Sequence, residues 1–237
     1  MKKYELTDET KVLGEITLHR IKALRVIENS GRGRVLEGEL GGWLESEYNL
    51  SQEGGCWVAE EAKVYGRAHV RDNALVCGKA AVSEQALVRN ISIVCDRACV
   101  FQNAVVSQAA QVKEAAVLKG RAFVGGVAVV KGSAVVEGCS RVIDDALVWG
   151  FAEIGGSSVL LGGAVSSREI YYSNFIYGLT LSDNHITYGC ETRTVEGWIA
   201  FLESNETIST PRDSPKFKII RLALELAIEQ WRKDREV

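Results

Sequence analysis

The chain has 237 residues, 46% of them hydrophobic, and a formal net charge of −3 at neutral pH. Such a chain can bury one sizeable core, and it has no broad basic field to attract nucleic acid. No run approaches the roughly 20 apolar residues of a membrane helix, and Met1-Lys2-Lys3-Tyr4-Glu5 leads into no apolar signal core, so a cytoplasmic protein without a membrane partner is expected.

Residues 1–52 read as a small β-rich N-terminal cap. Val12, Leu13, Ile16, Leu18, Ile21, Leu24 and Val26 alternate only in part and predict two or three short strands. Gly31-Arg32-Gly33-Arg34 is read as a turn. Its arginines lack the strand–loop–helix setting and the lysine of a phosphate loop.

Residues 53–166 carry a strict period of six. Every sixth residue from Val58 to Leu160 is Val, Leu or Ile, over 18 positions. A second column, from Ala62 to Ala164, holds only Ala or Ser. A third, two residues after each aliphatic, holds Gly or a polar residue, as at Gly66, Asp72, Asn90, Asp96, Gly120 and Asp144. An α-helix would smear a six-residue step around its surface. Three short strands joined by bends fit instead, with 18 residues per triangular turn and the aliphatic column pointing inward. β-Branched Val suits the wall, and Gly or a short polar residue suits the bend. At about 4.8 Å per coil this predicts a parallel β-solenoid of about six coils, roughly 29 Å long.

These columns resemble the hexapeptide-repeat superfamily, whose members form a left-handed parallel β-helix. In that group Gly or an acidic residue commonly follows the aliphatic directly. Here that place holds Tyr65, Cys77, Phe101 or Trp149, and the Gly falls one residue later. Upstream, Gly41-Gly42-Trp43 and the stretch from Asn49 to Val58 (NLSQEGGCWV) resemble the opening of YdcK-type proteins of bacteria and phages. The resemblance spans about residues 36 to 166. It implies the all-β left-handed helix and favours a homo-oligomer, a trimer first.

Residues 167–237 leave the repeat and predict a C-terminal α/β cap with strands and two helices. Ile170 to Tyr188 is strand-like and rich in Tyr and Phe. One helix is expected from Thr194 through Trp198, Phe201 and Leu202. Ser214-Pro215 pairs an N-cap residue with proline at the first helical position, which starts the last helix. Phe217, Ile220, Leu224, Ile228 and Trp231 recur at helical spacing, so one stripe must be buried, against the rod or another subunit.

Side chains alternate along a strand, so the residues flanking each inward aliphatic must point outward. On one face these are Trp57, Leu75, Cys77, Ile93, Cys95, Val129, Leu147 and Trp149, too apolar a set to sit in water. They are the expected homo-oligomer interface, unless the C-terminal helix covers them within one chain. A second face is mixed. The third, with Lys63, Lys119, Glu137 and Glu153, is expected to be the most exposed.

The chemistry is sparse. The six cysteines include no Cys-x-x-Cys pair and the three histidines (His19, His69, His185) are scattered, so neither a metal nor a cofactor is expected. Stacked Cys77 and Cys95 are read as packed thiols. The superfamily's acyltransferases imply a His base and a loop protruding from the coils. This rod offers His69 alone and no such loop. Asp183, Asn184, His185, Tyr188 and Arg193 gather near the aromatic run and form the candidate small-ligand site, weighed against a plug of tyrosines with polar groups facing water. The favoured reading is a non-catalytic oligomeric binding or assembly protein. The resemblance to phage sequences extends this to a phage protein that sequesters a nucleotide-like host signal or blocks a host defence protein. The alternatives are a coenzyme-A-dependent acyltransferase and a structural tail or spike component.

Overall fold

The computed structural model describes residues 2–29, 31–161, 164–165, 179–181, 184–189 and 191–233. The six-residue period becomes three parallel sheets, each adding one two- or three-residue strand per coil. Strands pair in register with the strand 18 residues on, as Val76 with Val94 and Val94 with Val112. Every member of the aliphatic column from Val58 to Leu160 is buried, and so is the Ala/Ser column from Ala62 to Ser158. Two of the serines within that column return their hydroxyls to a carbonyl three residues back, Ser92 to Arg89 at 2.7 Å and Ser140 to Glu137 at 2.6 Å.

The solenoid has about seven turns where the sequence predicts six. The extra coil begins inside the segment read as a cap. Leu44 pairs with Val64 and Leu50 bridges Val70, so both already occupy inward positions. The step from Leu50 to Val58 is longer than six, which hides them from a periodic reading. At the other end the repeat loses one residue. Ala164 and Val165 pair with Leu147 and Val148, so Val165 takes the inward place and Ala164 leaves the small-residue column.

The bend column has a consistent backbone. From Glu60 to Gly156 its described members have φ between 57 and 74°, and a bond such as Ala62 N–H to Ala59 C=O, 3.1 Å, closes most of the turns. That is the φ sign of a type II′ turn. Glycine meets it freely, but Glu60, Asp72, Glu84, Asn90, Asp96, Gln102, Gln108, Glu114 and Asp144 adopt it too. Several gain a compensating bond. The amide of the bend residue points out of the ladder, and the bend side chain one coil earlier accepts from it. Glu60 takes the Gly78 amide at 2.8 Å, Asp96 that of Glu114 at 2.9 Å, and Glu114 that of Gly132 at 2.9 Å.

Before the first coil, β1 (Tyr4–Leu13), β2 (Ile16–Ala23), β3 (Ile27–Asn29), β4 (Gly33–Val35) and β5 (Leu40–Leu44) close the end of the rod. β1 and β2 form a hairpin, β5 runs antiparallel to β2, and β5 then pairs parallel with Lys63–Val64, so the cap and one wall are a single sheet. The edge that would otherwise be open is thereby paired. The buried apolar residues here include Tyr4, Leu18, Ile21, Ile27 and Val35, whereas Val12 and Leu13 lie at the exposed tip of the first hairpin. Gly41 and Gly42 permit the docking. A Cβ on either would come within 2.6 Å of Val58 or Ala62 carbonyl oxygen respectively. Lys3 is wholly buried, and its Nζ donates to the carbonyls of Cys56 (2.9 Å) and Glu53 (3.3 Å). Burial pushes its pKa down.

The C-terminal residues form a separate small core. Leu179–Leu181, His185–Tyr188 and Glu191–Thr194 make an antiparallel sheet, followed by α1 (Val195–Glu203) and α2 (Pro215–Lys233). Thr194 caps α1 through the Gly197 amide at 2.9 Å, and Ser214 caps α2 through the Phe217 amide at 3.1 Å. The stripe Phe217, Ile220, Leu224 and Ile228 is buried among Ile186, Val195, Trp198 and Phe201. It therefore finds its partner within this unit. Tyr171, Tyr172, Phe175 and Tyr177 lie outside the described residues.

Candidate functional site

Among the described residues, the proposed ligand cluster does not converge on one point. Asp183 lies outside the described residues. Asn184 is exposed, and its carbonyl accepts from Val195 N–H at 3.0 Å where α1 begins. His185 and Tyr188 sit three residues apart on one strand and so point to opposite faces. Arg193 is held internally. Its guanidinium forms a two-pronged pair with Glu206, 2.9 and 2.8 Å, while stacking 4.8 Å from the Phe201 ring centre and 5.2 Å from that of Trp198. That hydrogen bonding raises the Arg193 pKa and lowers that of Glu206. Arg212 continues the stack between Phe201 and Phe217. Tyr188 lines a cavity of about 170 Å³, beside Ile208, Thr210 and Ile220.

The arginines of the Gly31–Arg34 turn are also engaged, Arg32 by Glu39 and Arg34 by Glu28. The turn joins β3 to β4.

His69 stands on the outer wall of the second coil. Its Nδ1 lies within hydrogen-bond distance of the Tyr48 carbonyl, and the two rings approach to 5.2 Å. A carbonyl only accepts, so Nδ1 carries the proton and Nε2 keeps its lone pair in the neutral ring. Nothing in the isolated sequence signalled this partnership, because Tyr48 belongs to the irregular segment before the repeat.

The apolar outer face is divided by the fold. The β3–β4 turn bends over its upper coils, and Gly31 packs against Leu75 and Ile93. Trp57 and Leu75 are buried within the chain, and Ile93, Cys77 and Cys95 are half-buried. Farther along, Val129 and Leu147 are half-buried, while Val127, Trp149 and Phe151 are 59, 43 and 79% exposed. Phe151 occupies a bend position, which the alternation of strand side chains does not reach. Tertiary folding therefore reduces the candidate interface to its lower half.

At the cap end, Glu61 is a charged hub. It accepts from Arg20 at 2.8 Å, Lys11 at 3.1 Å and Trp43 Nε1 at 3.1 Å. The bond from Arg20, then that from Lys11, pulls its carboxyl down to about 2. This hub explains why Trp43 follows the two docking glycines.

No protein-family model matches the chain. Over 77 residues the chain is 31% identical to the Escherichia coli (strain K12) protein named "Uncharacterized acetyltransferase YdcK", covering 31% of this chain and 24% of that protein. The chain thus spans about a quarter of that relative's length. This similarity and the solenoid fit the hexapeptide-repeat superfamily. Among the described residues, no helix is long and apolar enough to cross a membrane.

Proposed function

We propose that the protein is a self-associating β-helical binding or assembly module, and that its lower outer face is where a second copy docks. The observation that carries this reading is the exposure of Trp149 and Phe151 on the coils that also carry Val127, Val129 and Leu147. Solvent-exposed aromatics at a rigid wall and its bend have the composition of an interface centre. The occupant is a second copy because the face is a ladder repeating every 18 residues, and a like ladder matches its spacing. Light scattering on the purified chain tests this. An oligomer that Trp149→Glu with Phe151→Glu converts to monomer is expected. A wild-type monomer at tens of micromolar refutes it.

A second reading, transfer of an acyl group from coenzyme A, rests on His69. Its ring is oriented by the Tyr48 carbonyl with Nε2 as the basic atom, as a general base requires. The name of the E. coli relative supports the same chemistry. Acetyl-coenzyme-A turnover that is lost in His69→Ala would favour this reading over the first.

A further inference from the structure

Cys77 and Cys95 stand on neighbouring rungs of the partly apolar wall. Val76 pairs in register with Val94, and the Cys77 amide donates to the Val94 carbonyl at 2.9 Å, so the two thiols project side by side from adjacent strands. Both are half-buried, which leaves them reachable, and the Cys95 thiol donates to the Asp96 carboxylate at 3.7 Å. The β3–β4 turn ends beside them, with Gly31 against Leu75 and Ile93 and the Arg32 guanidinium near Cys77. Glu60 and Asp96 supply the opposing negative charge.

The two thiols are not equivalent. The neighbouring Cys95 thiol is the main cause holding the Cys77 pKa below the usual thiol range, with Arg32 adding to it against burial, Glu60 and Asp96. Cys95 donates to Asp96, and its pKa is raised by the adjoining Cys77, by burial and by that carboxylate. One sulfur is prepared as a nucleophile and the other keeps its proton.

We propose that Cys77 and Cys95 are a reversible thiol–disulfide couple that reacts with hydroperoxides. The Cys77 thiolate attacks the distal oxygen of the hydroperoxide, the O–O bond breaks, and the alcohol or water leaves with a proton. Cys77 is then a sulfenic acid. The Cys95 sulfur attacks the Cys77 sulfur, the S–O bond breaks, the oxygen leaves as water with the Cys95 proton, and the S–S bond forms. Overall, two thiols and one hydroperoxide give one disulfide, one alcohol or water and one water. The roughly 4.8 Å between neighbouring strands falls inside the Cα range of disulfides. Parallel Cβ vectors keep the β-carbons at nearly that spacing, wider than a relaxed bridge accepts, so the rungs must pinch and a dithiol readily reopens the bond.

The test uses the full chain, a few equivalents of hydrogen peroxide, an alkylating quench and peptide mass spectrometry. A Cys77–Cys95 linked peptide that dithiothreitol reverses is expected, with Cys77 consumed at least about tenfold faster than the exposed Cys139. Cys95→Ser should accumulate a Cys77 sulfenic acid that dimedone traps, and Cys77→Ser should leave Cys95 alkylatable. Oxidation of Cys139 ahead of the pair, or no dimedone adduct in folded Cys95→Ser, would overturn the assignment.

Discussion

Val130 and Val127 lie three residues apart in one coil, both valine, one wholly buried and the other 59% exposed. Replacing Val130 with Ala removes two methyl-sized groups from the apolar core. At about 0.8 kcal/mol per buried group, transfer alone costs about 1.6 kcal/mol. The walls are hydrogen-bonded to the coils on both sides and cannot collapse far, so a residual cavity of a few tens of Å³ adds about 1 kcal/mol. The loss should therefore be about 2–3 kcal/mol, a fall in melting temperature of about 5–10 °C for a chain of this size. Val127→Ala should stay within about 0.5 kcal/mol. Urea denaturation followed by circular dichroism measures both on one scale. Equal losses in the two variants would refute the inward assignment of the aliphatic column, and with it the solenoid argument.

The bend column offers a finer comparison. Asp96→Ala loses the bond to the Glu114 amide yet keeps a side chain at positive φ, and should cost about 1–2 kcal/mol. Asp96→Gly loses the same bond but relieves the backbone, so its denaturation midpoint should lie clearly above that of Asp96→Ala. At the cap, Glu61 has its folded pKa depressed to about 2 from an ordinary 4.5. A depressed carboxylate stabilises the fold above its unfolded pKa, and that contribution fades as pH falls from about 4.5 towards 2. Glu61→Gln should flatten the stability profile across that window and leave its slope near neutrality unchanged, as read by melting temperature against pH.

The repeat was legible in the sequence because a solenoid imposes one environment every six residues. Inward, small and bend columns each select a narrow set of side chains, and 18 repeats make the selection visible without a structure. The two helix starts, Thr194 and Ser214-Pro215, were legible for a similarly local reason, since a cap bonds to an amide within the same turn. Periodicity failed where the period breaks. Leu44 and Leu50 looked like cap residues, and Val165 stood one place off its column, because only pairing with the next coil shows that a strand continues the stack.

The candidate site depended on contacts that sequence spacing does not encode. Five polar residues within 11 positions suggested a pocket, yet Arg193 is taken by Glu206 and the neighbouring aromatic rings, and His185 and Tyr188 diverge from one strand. His69 gains its orientation from Tyr48, which the chain brings alongside from the preceding coil. The outer wall gives the clearest division. Alternation along each strand decides from sequence alone which side chains point outward, since a strand's geometry is local. Which of them remain uncovered is decided when the turn between β3 and β4 closes over Leu75 and leaves Trp149 and Phe151 in solvent, because covering a surface takes a segment distant in sequence.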